Sequence, residues 1–366
     1  MSLFERTLNF VKERRDRILS GKINCIPIPF KRFSQEWPGI EQGKSLLFTA
    51  NSKVGKSQIC DFLLLYNTIK QVIDNNLDIR LKIYYFTLEM TSKQKMLSAF
   101  SNIIFENEGI RIAPKDLRST NGALSEEVVE LILKYEPYFR KIEEIVHFID
   151  SIRTPYGIYA TVRDYALSVG TIFKKQIETK AGEFIEVEDY YQPNDPDEYV
   201  IIIVDHLALL EKQKDPETGI PMNLQESITK LSSDYFVKLR NRFNYIPVAI
   251  QQQMAGQESV ENKKFNKLKP TLDGLGEVKT TQRDFDYILG LFSPFRHEIP
   301  EYLGYDVMKF KDSLRFLEIL GGREGGGGSV CPLYFDGAVN HFAELPLSND
   351  KEGILKVYNY IDKIRK

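Results

Sequence analysis

Residues Ala50-Asn51-Ser52-Lys53-Val54-Gly55-Lys56-Ser57 place a glycine, a lysine and a hydroxyl in succession after a run of small and polar residues. This is the P-loop spacing, with alanine in place of the first glycine. Such a loop turns backbone N–H groups inward, and the N-terminus of the helix that follows adds positive potential, so that together they cradle a phosphate. In that chemistry Lys56 neutralises the β- and γ-phosphate oxygens and the Ser57 hydroxyl binds Mg²⁺. Ala50 through Gln58 is therefore the candidate ATP-binding segment; the plainer alternative is a helix cap that merely reads glycine-lysine-serine.

A phosphate cradle hydrolyses nothing without a carboxylate. Asp205 follows Tyr199–Val204 (YVIIIV), the strongest buried-strand signal in the chain, at the carboxyl end of the strand where open α/β sheets bind ligands. Its expected role is to hold Mg²⁺ through a water, as the Walker-B acid; a turn residue is the alternative. Glu89 lies just past IYYFT, a strand expected to run beside the P-loop strand, where its carboxylate would orient and deprotonate the attacking water. His206 reads more simply as a packing residue than as a proton carrier. His147, His297 and His341 form no visible cluster, and Cys25, Cys60 and Cys331 lie far apart without a CxxC pair, as thiols in a reducing compartment do.

These groups need elements to position them. Lys44–Thr49 reads as a short strand, Gln58–Ile73 as a helix, Leu81–Thr87 as a strand, and Thr91–Phe105 as a helix opened by a Thr91/Gln94 capping box. A helix after Ser125, a strand at Ile145–Ile149 and a helix over Tyr156–Val169 follow. Ile172–Glu188 alternates around KAGE as an inserted β-hairpin, and Tyr190–Glu198 reads as a polar loop. Beyond the Tyr199–Val204 strand come a loop at Glu211–Pro221, a helix over Asn223–Arg242, a strand at Ile246–Ile250 and a polar loop at Glu258–Gly276. Strands are expected at Tyr287–Phe292, Met308–Phe310, Arg315–Leu320 and Cys331–Phe335. The βαβα order predicts an α/β fold with a mostly parallel central sheet flanked by helices. Ahead of it, Leu3–Ser20 reads as an amphipathic helix with Phe4, Leu8, Val11 and Ile18 near one face and Gly21 as its stop. The expected division is residues 1–22 as a linker-type helix and 23–366 as the ATPase domain, with the hairpin at about 172–188 inserted in it.

The 366 residues carry 49 Lys+Arg against 51 Asp+Glu, a net charge of −2, at 42% hydrophobic and 27% charged. Disordered, collagen-like and mucin-like classes are excluded, and so is a uniformly basic nucleic-acid coat protein. No apolar run has membrane-helix length and the N-terminus is charged throughout, so the expectation is a soluble, cytoplasmic protein, in the host cytoplasm if phage-encoded, with no membrane partner.

Phe86–Met96 (FTLEMTSKQKM) resembles the DnaB family of hexameric replicative DNA helicases, whose RecA-like ATPase domain carries phenylalanine-serine-leucine-glutamate-methionine at this point. The resemblance extends in order through ANSKVGKS, IIIVDHLALL, IPVAIQQQM, RDFDYILGLF and FLEILGGREGGGGSVCPLYFDG. It implies a RecA-like P-loop ATPase in which Lys56 and Ser57 bind phosphate and Mg²⁺, Glu89 is the catalytic base and Asp205 the Walker-B acid. It further implies that Gln253 senses the γ-phosphate and couples it to a DNA loop, and that Arg323 is the finger reaching a neighbouring subunit's ATP. Single-stranded DNA, a homo-oligomeric ring, expected to be a hexamer, and a primase or helicase loader are the implied partners. The chain departs from the family at Gly321, where a lysine is usual, and at Arg283 and Ala255, where glutamine and asparagine are usual. The segment before Lys44 is also too short for the family's primase-interacting domain.

In this family DNA is held by loops after the Walker-B and sensor strands. Here the first holds Lys212 and Lys214, and the second holds Lys263, Lys264, Lys267 and Lys269 with Phe265 among them. Lysines so clustered contact a phosphate backbone without reading sequence; a solvated surface loop is the alternative. The leading expectation is an ATP-driven DnaB-type helicase translocating on single-stranded DNA. An ATPase that switches assembly on DNA or a protein without separating strands, and a small-molecule phosphotransferase, are its rivals.

Overall fold

Tyr199–Val204 is apolar at every position because both faces of its strand are covered, and the sheet is built around it. The computed structural model describes residues 2–75, 77–120, 122–180, 182–216, 218–264, 267–323 and 327–365. Its strands are β1 (Leu46–Ala50), β2 (Arg80–Thr87), β3 (Val146–Ile149), β4 (Gly170–Glu178), β5 (Phe184–Pro193), β6 (Glu198–Asp205), β7 (Ile246–Gln252), β8 (Tyr287–Phe292), β9 (Leu314–Gly322), β10 (Val330–Asp336) and β11 (His341–Glu344). Nine of them form one sheet in the order β11-β10-β9-β8-β1-β7-β6-β2-β3. The six strands from β8 to β3 are parallel, and β9, β10 and β11 extend the sheet antiparallel. The fold is α/β with a mostly parallel sheet, as expected.

The strand order corrects one expectation. β2 does not run beside the P-loop strand β1; β7 and β6 lie between them. The chain leaves β1 and crosses two positions before re-entering the sheet, and β6 and β7, which come later in sequence, fill the gap. The segment that carries Glu89 is thus brought to the site through its neighbour β6, by the Thr87–Asp205 register pair and the Leu88 N–H donating to the Asp205 carbonyl at 2.8 Å.

The helices are α1 (Leu3–Leu19), α2 (Lys56–Asp61), α3 (Asn67–Ile73), α4 (Ser92–Glu108), α5 (Glu126–Lys134), α6 (Glu136–Ile145), α7 (Pro155–Ser168), α8 (Leu224–Thr229), α9 (Val237–Phe243) and α10 (Lys351–Arg365). A π-helical turn, Phe62–Tyr66, joins α2 to α3, and another, Lys230–Phe236, joins α8 to α9. One face of the sheet packs Ile59, Leu63 and Ile69 of the P-loop helix with Ile103 and Phe139; the other packs Ile158 and Val162 of α7 with Ile228 and Leu239. A third cluster at the antiparallel end sets Phe310 and Phe316 against Ile354 and Ile361 of α10. Val307–Phe310, expected as a strand, is instead a helical turn, because the Asp306 carboxylate accepts from the Lys309 N–H and caps it. The expected hairpin is longer than its sequence pattern, since Tyr190–Pro193 continue β5 rather than forming a loop.

α1 begins with a Ser2/Glu5 capping box, and its C-terminal end is tied down by Arg17 and Lys22 pairing with Asp197. Its apolar face has no cover: Phe4 is 73% exposed, and Phe10, Val11 and Ile18 are exposed too. Among the described residues, no helix is long and apolar enough to cross a membrane.

Candidate nucleotide-hydrolysis site

β1 delivers the P-loop at the carboxyl end of the parallel strands. Gly55 stands at the N-cap of α2 with φ of 105°, a left-handed conformation open to glycine, and no side chain caps the helix. The first N–H groups of α2 therefore stay open to an anion, and the π turn and α3 continue the same helical axis behind them. The loop is braced from below: the buried Arg315 guanidinium donates from Nε to the Val54 carbonyl at 2.8 Å, and Gln58 donates to the Gly337 carbonyl at 2.9 Å. Asn51 is buried with its Nδ2 at 3.5 Å from His297 Nε2.

Ser57 and Asp205 meet across the mouth of the sheet, the Ser57 hydroxyl donating to Asp205 Oδ1 at 2.9 Å. A hydroxyl and a carboxylate side by side are the hard oxygen donors that suit Mg²⁺, which takes most of its ligands from phosphate and water. Among the described residues no group of three or more His, Cys, Asp or Glu side chains could hold a metal by itself. The residues present thus fit a divalent ion that arrives with a nucleotide.

Behind this pair lies a cluster that the sequence reading passed over. Lys95, 1% exposed, donates from Nζ to Asp61 Oδ2 at 2.9 Å and Asp205 Oδ2 at 3.3 Å, and lies 2.6 Å from the Tyr85 hydroxyl. Tyr85 donates to Asp61 Oδ1 at 2.6 Å and to Asp205 Oδ2 at 3.2 Å. Burial works against the charged ammonium, but Asp61 and then Asp205 outweigh it and lift Lys95 above the ordinary lysine range. Burial also raises the Asp61 carboxyl, with Lys95 opposing and Asp205 adding. A signal existed in the sequence: Lys95 shares the i, i+4, i+8 face of α4 with Ala99 and Ile103, both core residues, and lysine at a core position demands a partner.

Glu89 stands in the loop after β2 with its side chain 56% exposed, Oε2 lying 3.9 Å from His206 Nε2. Burial, and then the nearby Lys56 charge, holds His206 below the ordinary histidine range, so the imidazole is neutral near pH 7. Gln253 is buried and fully engaged. Its Nε2 donates to Thr49 Oγ1 at 2.9 Å and to the Thr271 carbonyl at 3.1 Å, and its Oε1 accepts from the Thr271 N–H at 3.2 Å. It thereby ties the P-loop strand to the loop after β7. Gly274 makes room for it, since a Cβ there would fall 2.0 Å from Gln253 Oε1. Gly274→Ala is expected to expel the Gln253 side chain, lower stability by about 1–3 kcal/mol and uncouple the loop. Thermal unfolding together with polynucleotide stimulation of hydrolysis tests this, and a variant unchanged in both would refute it.

The lysine loops are less free than the sequence implies. Lys263 pairs with Glu298 at 3.0 Å and Lys269 with Glu318 at 2.8 Å, while Lys212 and Lys214 are exposed in the loop after β6. The side chains of Lys264 and Phe265 lie outside the described residues, and Lys267 has partners of its own. Exposed pairs such as these are worth about 0–1 kcal/mol, so a phosphate backbone can displace them.

Arg323 is not at this site. Tyr287 pairs with both Leu46 and Gly322, whereas Leu291 pairs with Ala50, so Arg323 lies past the opposite end of β1 from the P-loop. At about 3.3 Å per residue a five-residue strand separates the two by roughly 15 Å. The guanidinium instead donates to the Arg283 carbonyl at 2.7 Å and approaches Asp286 Oδ1 at 3.5 Å.

No family model matches the sequence, and no curated protein matches it. Solved structures do. One of them, an ATPase domain solved by itself, aligns over 94% of this chain and 99% of its own length, with a TM-score of 0.65 and 17% identity. A DnaB-like replicative helicase, described with its interactions with primase, aligns over 94% of this chain and 69% of its own, with a TM-score of 0.66 and 16% identity. At these identities the likeness shows a shared fold, the RecA-like ATPase fold of DnaB-like helicases.

Proposed function

We propose that this chain, on that fold, is an ATP hydrolase that works as an oligomeric ring on single-stranded DNA, a helicase of DnaB type. The observation that carries the reading is the Ser57–Asp205 contact beneath an uncapped, glycine-led helix N-terminus, with Glu89 in the adjoining loop. The N–H groups at the start of α2 and the Lys56 ammonium hold the phosphates. Mg²⁺ with its nucleotide would sit against Ser57 and Asp205 and supply charge neutralisation. Glu89, exposed beside a neutral His206, orients the water and accepts its proton. Gln253 relays the state of the P-loop strand to the loop bearing Lys263, Lys264, Lys267 and Lys269. Arg323 acts in a neighbouring subunit, and the uncovered face of α1 docks there as well. A primase or loader would use surfaces outside this site.

The deciding experiment is ATP hydrolysis with and without single-stranded DNA, together with strand displacement on a forked duplex. Stimulated hydrolysis with displacement is expected. Hydrolysis without displacement would favour the assembly switch, the reading that Gly321 and the paired Lys263 and Lys269 support. Removing residues 1–22 is expected to lower the oligomeric mass measured by light scattering; an unchanged mass would refute the docking role of α1.

A further inference from the structure

The Asp205 carboxylate is held so that its two oxygens do different work. Oδ2 faces inward, within 3.3 Å of Lys95 Nζ and 3.2 Å of the Tyr85 hydroxyl, and Oδ1 faces Ser57. Turning the carboxylate over would exchange these surroundings and break all three contacts. Lys95 also bonds to Asp61, which lies one helical turn beyond Ser57 on α2. The contacts therefore close a ring, Ser57 to Asp205 to Lys95 to Asp61 and back along the helix to Ser57.

From this geometry we infer that Lys95 is a positioning residue for the Mg²⁺-nucleotide site: its ammonium fixes the Asp205 carboxylate with one oxygen presented beside the Ser57 hydroxyl. The inference rests on the reading of Ser57 and Asp205 as that site. Three features support it beyond a structural ion pair. Asp61 alone satisfies the charge of Lys95, yet the ammonium is shared with Asp205. The cluster of two carboxylates and one ammonium keeps a net charge of −1, which favours a cation without the repulsion of two bare carboxylates. Lys95 also lies one turn into α4, whose cap Thr91 is two residues past Glu89, so the same contact sets the loop of the proposed base against the Walker-B acid.

The test compares the full-length chain with Lys95→Met and with Lys95→Met/Asp61→Asn. The double variant retains the −1 charge and leaves no second unpaired buried carboxylate, so it reports even if the single variant does not fold. Two quantities are read: affinity for a fluorescent ATP analogue in EDTA, and the Mg²⁺ dependence of ATP hydrolysis. In both variants the affinity without Mg²⁺ is expected to stay within about twofold, while the rate falls and the Mg²⁺ midpoint rises by about 10- to 100-fold, as for groups that orient a metal's ligands. A double variant with the parental rate and midpoint would overturn the inference and reduce Lys95 to a fold-stabilising charge. A parental chain that neither binds the analogue nor hydrolyses ATP with Mg²⁺ would instead overturn the site assignment itself, and the inference with it.

Discussion

Arg323→Ala is expected to lower ATP hydrolysis by about 10³-fold or more, while nucleotide affinity changes little. The reasoning is positional. The arginine lies past the amino-terminal end of β1, and the P-loop lies past its carboxyl end, so no side-chain rotation brings one to the other within a chain. A finger that acts at all therefore acts between subunits, where it would meet the γ-phosphate as negative charge develops in the transition state. Complementation tests this directly. Mixing Arg323→Ala with Lys56→Ala joins an intact P-loop of one subunit to an intact arginine of the next, and activity above that of either variant alone is expected. No rescue, in mixtures shown to co-assemble, would refute the arrangement.

Glu89→Gln is expected to retain MgATP binding and lower the rate by about 10²- to 10⁴-fold. The amide keeps the size and the hydrogen-bonding reach of the carboxylate but cannot take a proton. Single-turnover hydrolysis with a separate binding titration distinguishes the loss of chemistry from the loss of affinity. Normal hydrolysis would remove Glu89 from the mechanism, and His206, 3.9 Å away, would then be the next group to replace.

Local features were legible in the sequence because they are determined locally. The P-loop strand and helix, the buried strand before Asp205 and the Thr91/Gln94 capping box all stand where their residue patterns put them. The position of β2 was not legible, because the strand that fills a gap in a sheet can lie more than a hundred residues downstream. Alternation likewise misread Tyr190–Pro193 and Met308–Phe310: cross-strand pairing extends the first, and a single aspartate cap turns the second into a helix. The lysines show the same limit most clearly. Read by composition, Lys95 is a surface residue and Lys263 and Lys269 are free cations; in the fold the first is buried between two carboxylates, and the others are paired with Glu298 and Glu318.

The resting place of Arg323 bears on how readily subunits exchange roles. Its side chain is 48% exposed and leans on Asp286 at 3.5 Å, whereas Asp286 Oδ2 is independently held by the Ser45 N–H at 2.8 Å and by Arg240 at 3.1 Å. When the guanidinium swings away, the buried carboxylate keeps its counter-ion and nothing inside the protein is left bare. Undocking therefore costs on the order of 1 kcal/mol, comparable to thermal energy. A finger stowed this loosely engages and withdraws at each subunit interface as the ring moves, without any need to loosen the sheet that carries it.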